Sequence, residues 1–188
     1  MLRIAATPSA HRARLRRVLA VAVVAATAFA ALAVTSAPAD AAARPHTRTT
    51  AEKKIMGDVL RQMNRERAAH HLPALRSNVR LENSARLHDY RMAIKQSLAH
   101  QLRGERSLGS RVTAAGYRWQ TAGENIGWTS PRTIKRVLAM ITMMYNERAP
   151  YDGHRQNILS RSYTDAGVDI YRDPAHGKIW LTVDFGRH

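Results

Sequence analysis

The chain has 188 residues, with 30 Lys and Arg against 14 Asp and Glu, 10 Gly, 7 Pro and no Cys. This length fits one domain of ordinary size, with or without a processed segment. The lack of cysteine excludes a disulfide scaffold, a thiolate metal site and a cysteine nucleophile. The formal charge of +16 favours anionic partners, and an apolar share of 45% argues against wholesale disorder.

The first 43 residues predict a secretory signal peptide. Residues 1–17 carry five arginines and no acid, residues 18–34 carry no charge, and the small residues after them offer A-x-A cleavage sites at 37–39 and 39–41. We expect cleavage at about residues 39–43, with a short basic linker over 44–50 and one domain over 51–188. The alternative is an uncleaved membrane anchor, because the 17 uncharged residues nearly span a bilayer. Arg16 and Arg17 leave Sec and Tat export both open.

The exported part remains strongly basic. Removal of five Arg and one Asp lowers the formal charge from +16 to +12, and the excess is spread along the chain rather than gathered in one run. No zinc-finger or RNP-type motif is present in the sequence. We therefore expect a secreted monomer without a membrane span after cleavage, with an anionic cell-envelope component among its partners and no nucleic acid.

Helices are predicted first along the domain. Thr49 and Glu52 form a capping-box pattern that opens a helix to about residue 70. Asn78 caps a second helix to about residue 98, and residues 108–115 predict a short third helix. The second helix places His88 on its inward face, where we interpret it as a hydrogen-bonded core histidine rather than a ligand. The inward positions of the first two helices are Met56, Val59, Leu60, Met63, Leu81, Ala85, His88 and Met92.

A fourth helix and a terminal hairpin complete the predicted domain. Ser130 followed by Pro131 is typical of an N-cap and a first helical position. The runs AGVDIYRD and GKIWLTVDFG predict two strands joined by a loop over residues 173–177. Helices followed by a hairpin indicate an α+β fold, with helices packed on a small antiparallel sheet. The expected inward positions of the fourth helix are Ile134, Val137, Leu138, Ile141, Met144 and Tyr145.

Three polar islands are candidates for chemistry. SLAHQ places His100 just past the second helix, TAGENIGW places Glu124 among apolar and small residues, and YNERAPYDGHRQNIL carries Glu147 and His154 in what we interpret as a polar loop. Each island alone favours a simpler interpretation. These are a histidine that complements a helix end, a solvated acid after a turn glycine, and a capped loop with an Asp-Gly turn.

Taken together and in order, eight segments resemble the CAP superfamily of cysteine-rich secretory proteins, venom allergens and plant pathogenesis-related proteins, and in particular its secreted bacterial branch. The resemblance covers roughly residues 52–186 and implies an α-β-α sandwich with a surface cleft. AGENIG and DGHRQNIL are its most specific segments. The others are MNRERAAHHLPALRSN, LENSARLHDYRMA, SLAHQ, RVTAAGY, AGVDI and IWLTVDFG.

The resemblance also implies a cleft with two His and two Glu, in some members around a divalent metal. His100 matches the first histidine, Glu124 the glutamate of GENI, Glu147 the glutamate at the end of the long helix, and His154 the histidine of the bacterial GHRxNIL motif. His100 and His154 are then the candidate ligands of a divalent metal such as zinc. Without a metal, the same four groups can satisfy one another, with each carboxylate accepting an N–H from an imidazole. The chain lacks the GHYTQ motif and the disulfides of eukaryotic members, which argues against eukaryote-type activities.

Two classes of function remain open at this stage. The first is a non-catalytic extracellular binding module that holds a small apolar, lipid or cell-wall ligand in or beside the cleft. The second is a metal-assisted, peptidase-like hydrolase that uses a glutamate as base and a metal-bound water. The sequence contains neither HExxH nor GxSxG, so the binding module is the better interpretation.

We predict that the mature protein begins between residues 40 and 44. N-terminal sequencing of the protein from culture supernatant measures this directly. If only the intact, membrane-bound chain beginning at Met1 is recovered, the signal-peptide interpretation is wrong and the anchor interpretation is right.

Overall fold

The computed structural model describes residues 47–130 and 133–188, so the predicted signal peptide, its cleavage sites and residues 44–46 of the basic linker lie outside the described residues. Within those two ranges, no helix is both long and apolar enough to cross a bilayer. The elements, in chain order, are α1 (Thr50–Ala69), β1 (Arg76–Ser77), α2 (Val79–Lys95), α3 (Leu108–Ala114), β2 (Thr121–Thr129), α4 (Ile134–Asn146), α5 (Gly153–Leu159), β3 (Asp165–Asp173) and β4 (Lys178–Arg187).

The first two helices begin where local side chains satisfy their free N–H groups. The Thr49 side chain accepts from the Glu52 N–H while Glu52 accepts from the Thr49 N–H at 2.7 Å, so the predicted capping box is confirmed. Asn78 caps α2 by accepting from the Arg80 N–H. The helix ends at Gln96, whose left-handed backbone (φ 47°) stops it three residues earlier than predicted.

The fourth helix begins later than predicted. Thr133, whose side chain accepts from the Arg136 N–H, is the N-cap, and the helix starts at Ile134 rather than at Pro131. Ser130 follows β2 directly, and Pro131 lies outside the described residues. Ile134, expected to be buried, is 39% exposed because it occupies the first turn at the surface end of the helix. The positions Val137, Ile141 and Met144 are buried as predicted.

A short fifth helix replaces part of the predicted polar loop. Residues Gly153–Leu159 are helical, and Ile158 is fully buried in the main apolar core. The sequence does not reveal this helix, because its seven residues are too few to show a helical period of apolar residues. Its only buried side chain is Ile158.

The four strands form one sheet in the order β1–β3–β4–β2. The predicted β3–β4 hairpin is confirmed, and β2 pairs antiparallel with the other side of β4, with Glu124 opposite Asp184. β1 adds a short parallel pairing, Arg76 opposite Asp165, so the sheet is mixed rather than wholly antiparallel. β2 is an edge strand, and its outer side is therefore available to loops and to α5.

The two faces of the sheet bury different kinds of side chain. Alternate residues of β4 such as Val183 and Leu181 join the apolar core with α1 and α4. The intervening residues, among them Asp184 and Thr182, lie on the side that packs against α2. Helices thus cover both faces, which confirms the α-β-α sandwich.

One glycine sets the distance between α2 and the sheet. A Cβ at Gly167 of β3 would lie 2.1 Å from the backbone nitrogen of Glu82 in α2, so no side chain fits there. The helix backbone therefore rests directly on the strand.

Buried acids are concentrated on the α2 side of the sheet. Asp89 of α2 accepts hydrogen bonds from the N–H and the hydroxyl of Thr182, at 3.1 and 2.6 Å. Burial raises the pKa of Asp89 well above its usual range, and the neighbouring Asp169 raises it further. Burial also raises the pKa of Asp169 to about 7, although Arg48 pairs with it. The folded state therefore holds protons here that the unfolded chain releases at lower pH.

We predict that the free energy of unfolding decreases as the pH rises from about 4 to about 7. Asp169 ionises at an ordinary 3.8 in the unfolded chain but at about 7 when folded, so its contribution is complete below 3.8 and is lost as the pH passes 7. For this one group the full change is on the order of 4 kcal/mol. Denaturant melts of Asp169→Asn should show a flatter pH profile than the wild type, whereas Asp58→Asn, on the surface of α1, should not. A parallel decline in Asp169→Asn would contradict the assignment.

Candidate functional site

The four residues singled out by the family resemblance line one open cavity of about 430 Å³ at the edge of the sheet. His100 lies in the loop after α2, Glu124 in the edge strand β2, Glu147 at the end of α4 and His154 in the first turn of α5. Their side chains form two His–Glu pairs. His100 and Glu124 lie towards α2 and α3, whereas Glu147 and His154 belong to α4 and α5. The other lining residues are Tyr151, Gly153, Gln156 and Asn157.

The first pair is built on a buried carboxylate. Glu124 is 5% exposed, and its Oε1 lies 2.9 Å from His100 Nδ1 while its Oε2 accepts from Arg111 Nη2 at 2.6 Å. Burial alone would raise the pKa of Glu124, but the His100 hydrogen bond and the Arg111 charge outweigh it and lower the pKa. Arg111 also donates to the His100 carbonyl at 3.1 Å, which fixes the loop that carries the imidazole.

The second pair is closer to solvent and also caps a helix. Glu147 Oε1 lies 2.5 Å from His154 Nδ1, and Glu147 Oε2 accepts the His154 backbone N–H at 3.0 Å. Asp152, at the N-cap of α5, makes no side-chain capping bond. Glu147 therefore supplies the acceptor that the first turn of α5 needs and orients the His154 ring at the same time.

Two asparagines connect the pairs across the edge strand. Asn125 donates to the His154 carbonyl at 3.1 Å, and Asn157 donates to the Glu124 carbonyl at 3.2 Å. Asn157 also donates to the Asn125 side-chain oxygen at 2.8 Å. The two asparagines lie inside the motifs AGENIG and DGHRQNIL, so these motifs already pointed to them. They were missed because only the His and Glu side chains of the motifs were considered as site residues.

A buried row of groups lies behind Glu124. His88 is fully buried, its Nδ1 lies 2.9 Å from Glu105 Oε1, and its Nε2 lies 3.8 Å from Glu124 Oε2. It is thus a hydrogen-bonded core histidine and does not line the cavity. Sequence reasoning missed Glu105 and Arg111, because a charged residue in a short helix or loop is ordinarily solvated.

The His–Glu pairs alone do not make a metal centre. In residues 47–130 and 133–188, no three His, Asp or Glu side chains are close enough together to hold a metal ion. The Nδ1 atoms of His100 and His154 are both directed at carboxylates, an arrangement that is also common for histidines which bind a metal through Nε2. Any ion bound by these two imidazoles would therefore need its remaining ligands from elsewhere.

An apolar groove of about 500 Å³ adjoins the cavity and shares Glu147 and His154 with it. Met140, Met143 and Met144 of α4 form one wall, and Gly127 lies beneath them, where a Cβ would be 2.6 Å from Met140 Sδ. Trp128 and Leu98 line it too, and both are exposed. Arg136 lies four residues before Met140, on the same stripe of α4.

The chain belongs to the CAP, or cysteine-rich secretory protein, family, whose model matches residues 60–185. Among solved structures it is similar to an extracellular protein containing an SCP domain from Bacillus anthracis, with 25% identity and a TM-score of 0.62 over 76% of this chain and 45% of that one. The match to this solved structure agrees with the α+β fold described above.

Two further solved structures share the fold. An outer surface protein from Borrelia burgdorferi has 16% identity and a TM-score of 0.63, over 77% of this chain and 99% of that one. A cysteine-rich secretory protein from Staphylococcus aureus has 16% identity and a TM-score of 0.55, over 75% of this chain and 40% of that one. The chain thus spans less than half the length of the Bacillus and Staphylococcus proteins. No curated protein sequence matches it significantly.

We predict that Arg111→Met destabilises the protein by about 3–5 kcal/mol, because it leaves the buried Glu124 carboxylate without its cation. Thermal or denaturant unfolding measures the loss. Adding Glu124→Gln to the variant should recover part of it, since the amide carries no charge. Arg118→Met, at an exposed position, is the matched control and should change stability by less than about 0.5 kcal/mol. A similarly small effect for Arg111→Met would mean that Glu124 is hydrated rather than dependent on Arg111.

Proposed function

We propose that this protein is a secreted, non-catalytic binding module that holds a small amphipathic ligand. The apolar part of the ligand occupies the methionine groove and its polar group reaches the His/Glu cavity. The observation that carries this proposal is continuity: Glu147 and His154 line both spaces, so one molecule can contact both. The description of the Bacillus relative as extracellular supports the location.

The lining of the groove favours a ligand that has one apolar tail. Methionine side chains are flexible and polarisable, and they adapt to ligands of varied shape. The stripe from Arg136 to Met144 covers nine residues of α4, about 12 Å of helix. Arg136 gives one end of the groove a positive charge, and the basic surface of the exported chain favours an anionic ligand, such as a lipid or cell-wall component that carries an acidic group.

The hydrolase alternative has less support. A general base works best as an accessible carboxylate whose pKa is raised towards the working pH. Glu124 has both oxygens engaged, by His100 and Arg111, and its pKa is lowered. Glu147 is engaged by the ring and the backbone N–H of His154. These bonds support a rigid recognition surface in which the carboxylates orient imidazoles.

A divalent cation is a further proposed occupant, with zinc the first to test and His100 and His154 as its ligands. When bound, such an ion would supply a positive charge for an acidic ligand group. Zinc titration of the purified protein should then give an affinity that falls as the pH drops through the histidine range, because a protonated imidazole cannot ligate. His100→Ala and His154→Ala should each weaken it, and unchanged affinity in both would remove the metal from the proposal.

The ligand proposal is tested by titrating the protein with a fluorescent fatty acid. Met143→Glu introduces a charge into the groove and should weaken binding at least about tenfold, since an unpaired charge beside an apolar chain is costly. Ile94→Glu, at an equally exposed apolar position on α2, is the control and should bind as the wild type does. Equal binding by the wild type and Met143→Glu would refute the groove as the site.

A further inference from the structure

The exposed large apolar side chains are not spread evenly over the surface. Half of the eight in the part of the chain that the structure describes line the methionine groove or the His/Glu cavity. Leu98, Trp128 and Met143 line the groove with exposed fractions of 47%, 44% and 71%, and Tyr151, which is 87% exposed, lines the adjoining cavity. Exposed apolar side chains gathered around one opening mark a surface that binds a partner.

Trp128 is a fixed anchor within this group. It lies in the edge strand β2, its ring centroid is 6.4 Å from that of Trp180, and Lys178 Nζ is 4.6 Å from the same centroid. Lys178 also donates to Gln96 Oε1 at 2.9 Å, so the ammonium is held in place beside the indole. Tryptophan together with a basic side chain is typical of the boundary between the hydrocarbon and the headgroups of a bilayer.

The charge at the opening is complementary to an acidic surface. Arg136 lines the groove and Lys178 lies over the Trp128 ring, within an exported part that is strongly basic. The acids that line the two spaces are Glu124 and Glu147, and their carboxylates are already engaged by histidine or arginine. Basic side chains beside exposed apolar ones are attracted to anionic headgroups while the apolar ones leave water.

The arrangement fits a lipid layer better than a protein partner. The four apolar side chains surround the opening of the groove, and a protein that covered them would close it. A ligand with an apolar tail is poorly soluble in water, so a groove that takes it up gains from opening directly onto lipid. A basic and apolar rim meets both requirements of such a contact.

We propose that the face formed by Leu98, Trp128, Met143 and Tyr151 docks on an anionic lipid membrane. These side chains enter the headgroup region, the nearby cations meet acidic headgroups, and the groove opens onto the lipid. The inference rests on the proposed function for the kind of ligand, and it adds the source from which the ligand is drawn.

Two equally exposed tryptophans test the orientation. Trp128 belongs to the docking face, whereas Trp119, which is 43% exposed, lines neither the groove nor the cavity. The full mature chain is mixed with vesicles of phosphatidylglycerol and phosphatidylcholine whose acyl chains carry bromine, which quenches only indoles close to it. Quenching should occur in the wild type, persist in Trp119→Phe and be lost in Trp128→Phe. Loss of quenching in Trp119→Phe, or its persistence in Trp128→Phe, would overturn the proposal.

Sedimentation with unbrominated vesicles tests the chemistry of the contact. Binding to the mixed vesicles should exceed binding to phosphatidylcholine alone at least about tenfold and should decrease with added salt. Leu98→Ser should weaken it about tenfold, since the leucine no longer transfers out of water. Val79→Ser is the control, because Val79 is 63% exposed at the opposite end of α2. Equal binding to both kinds of vesicle, or equal binding by Leu98→Ser and the wild type, would refute docking by this face.

The two proposals can fail separately. The fluorescent fatty acid is titrated in solution without vesicles, and the vesicle experiments follow Trp128 and the bound protein without a fatty acid. Fatty-acid binding without quenching at Trp128 would refute the membrane docking alone. Quenching at Trp128 without fatty-acid binding would refute the groove as a ligand site.

Discussion

The carboxylate of Glu124 lies almost out of solvent in the edge strand of the sheet, and a charge in that position has to be compensated by the protein itself. Arg111 supplies the cation, and His100 supplies the second hydrogen bond. These contacts hold α3 and the loop after α2 against β2. The positions of these two segments therefore depend on one buried charge. Removing a partner leaves the charge uncompensated, which is why such groups are costly to alter singly.

The cavity lies where the two helical layers meet at the open edge of β2. One His–Glu pair belongs to the layer of α2 and α3, the other to the layer of α4 and α5, and the bond between Asn125 and Asn157 joins the halves. Neither pair depends on flexible surface side chains alone, since each carboxylate accepts a second bond, from Arg111 or from the His154 backbone. A ligand would therefore meet a surface already organised by the fold, which limits the entropy lost on binding.

The sequence correctly predicted those structural features that depend on interactions between residues close together in the chain. The capping box at Thr49 and the β3–β4 hairpin involve residues close in the chain, and both are confirmed. Ser130 and Thr133 are both favoured N-cap residue types, so the residue type alone did not identify Thr133 as the cap of α4. The helix α5 depends on one buried residue, Ile158, and on a cap supplied from outside by Glu147.

The site itself was accessible mainly through family motifs. Composition and periodicity favoured ordinary interpretations of His100, Glu124, Glu147 and His154, and only their order along the chain indicated a shared cleft. The residues behind the cleft gave no comparable signal. Arg111 is one of many arginines in a basic chain, and Asp184 alternates with apolar residues in β4 as a solvent-facing strand residue would. Their burial follows from α2 and α3 covering that face, which is a tertiary effect.

The glycine beneath the methionine groove makes the shape of that groove adjustable. Gly127 allows Met140 to rest on the backbone of β2, so the depth of the groove is set by the absence of a single methyl group. A change to alanine would lift the flexible methionine by a fraction of its length and make the floor shallower, while the hydrogen bonds of the two His–Glu pairs, which involve other atoms, need not move. Ligand size and polar recognition are thus controlled by separate parts of the edge strand, and related chains could diversify the first while retaining the second.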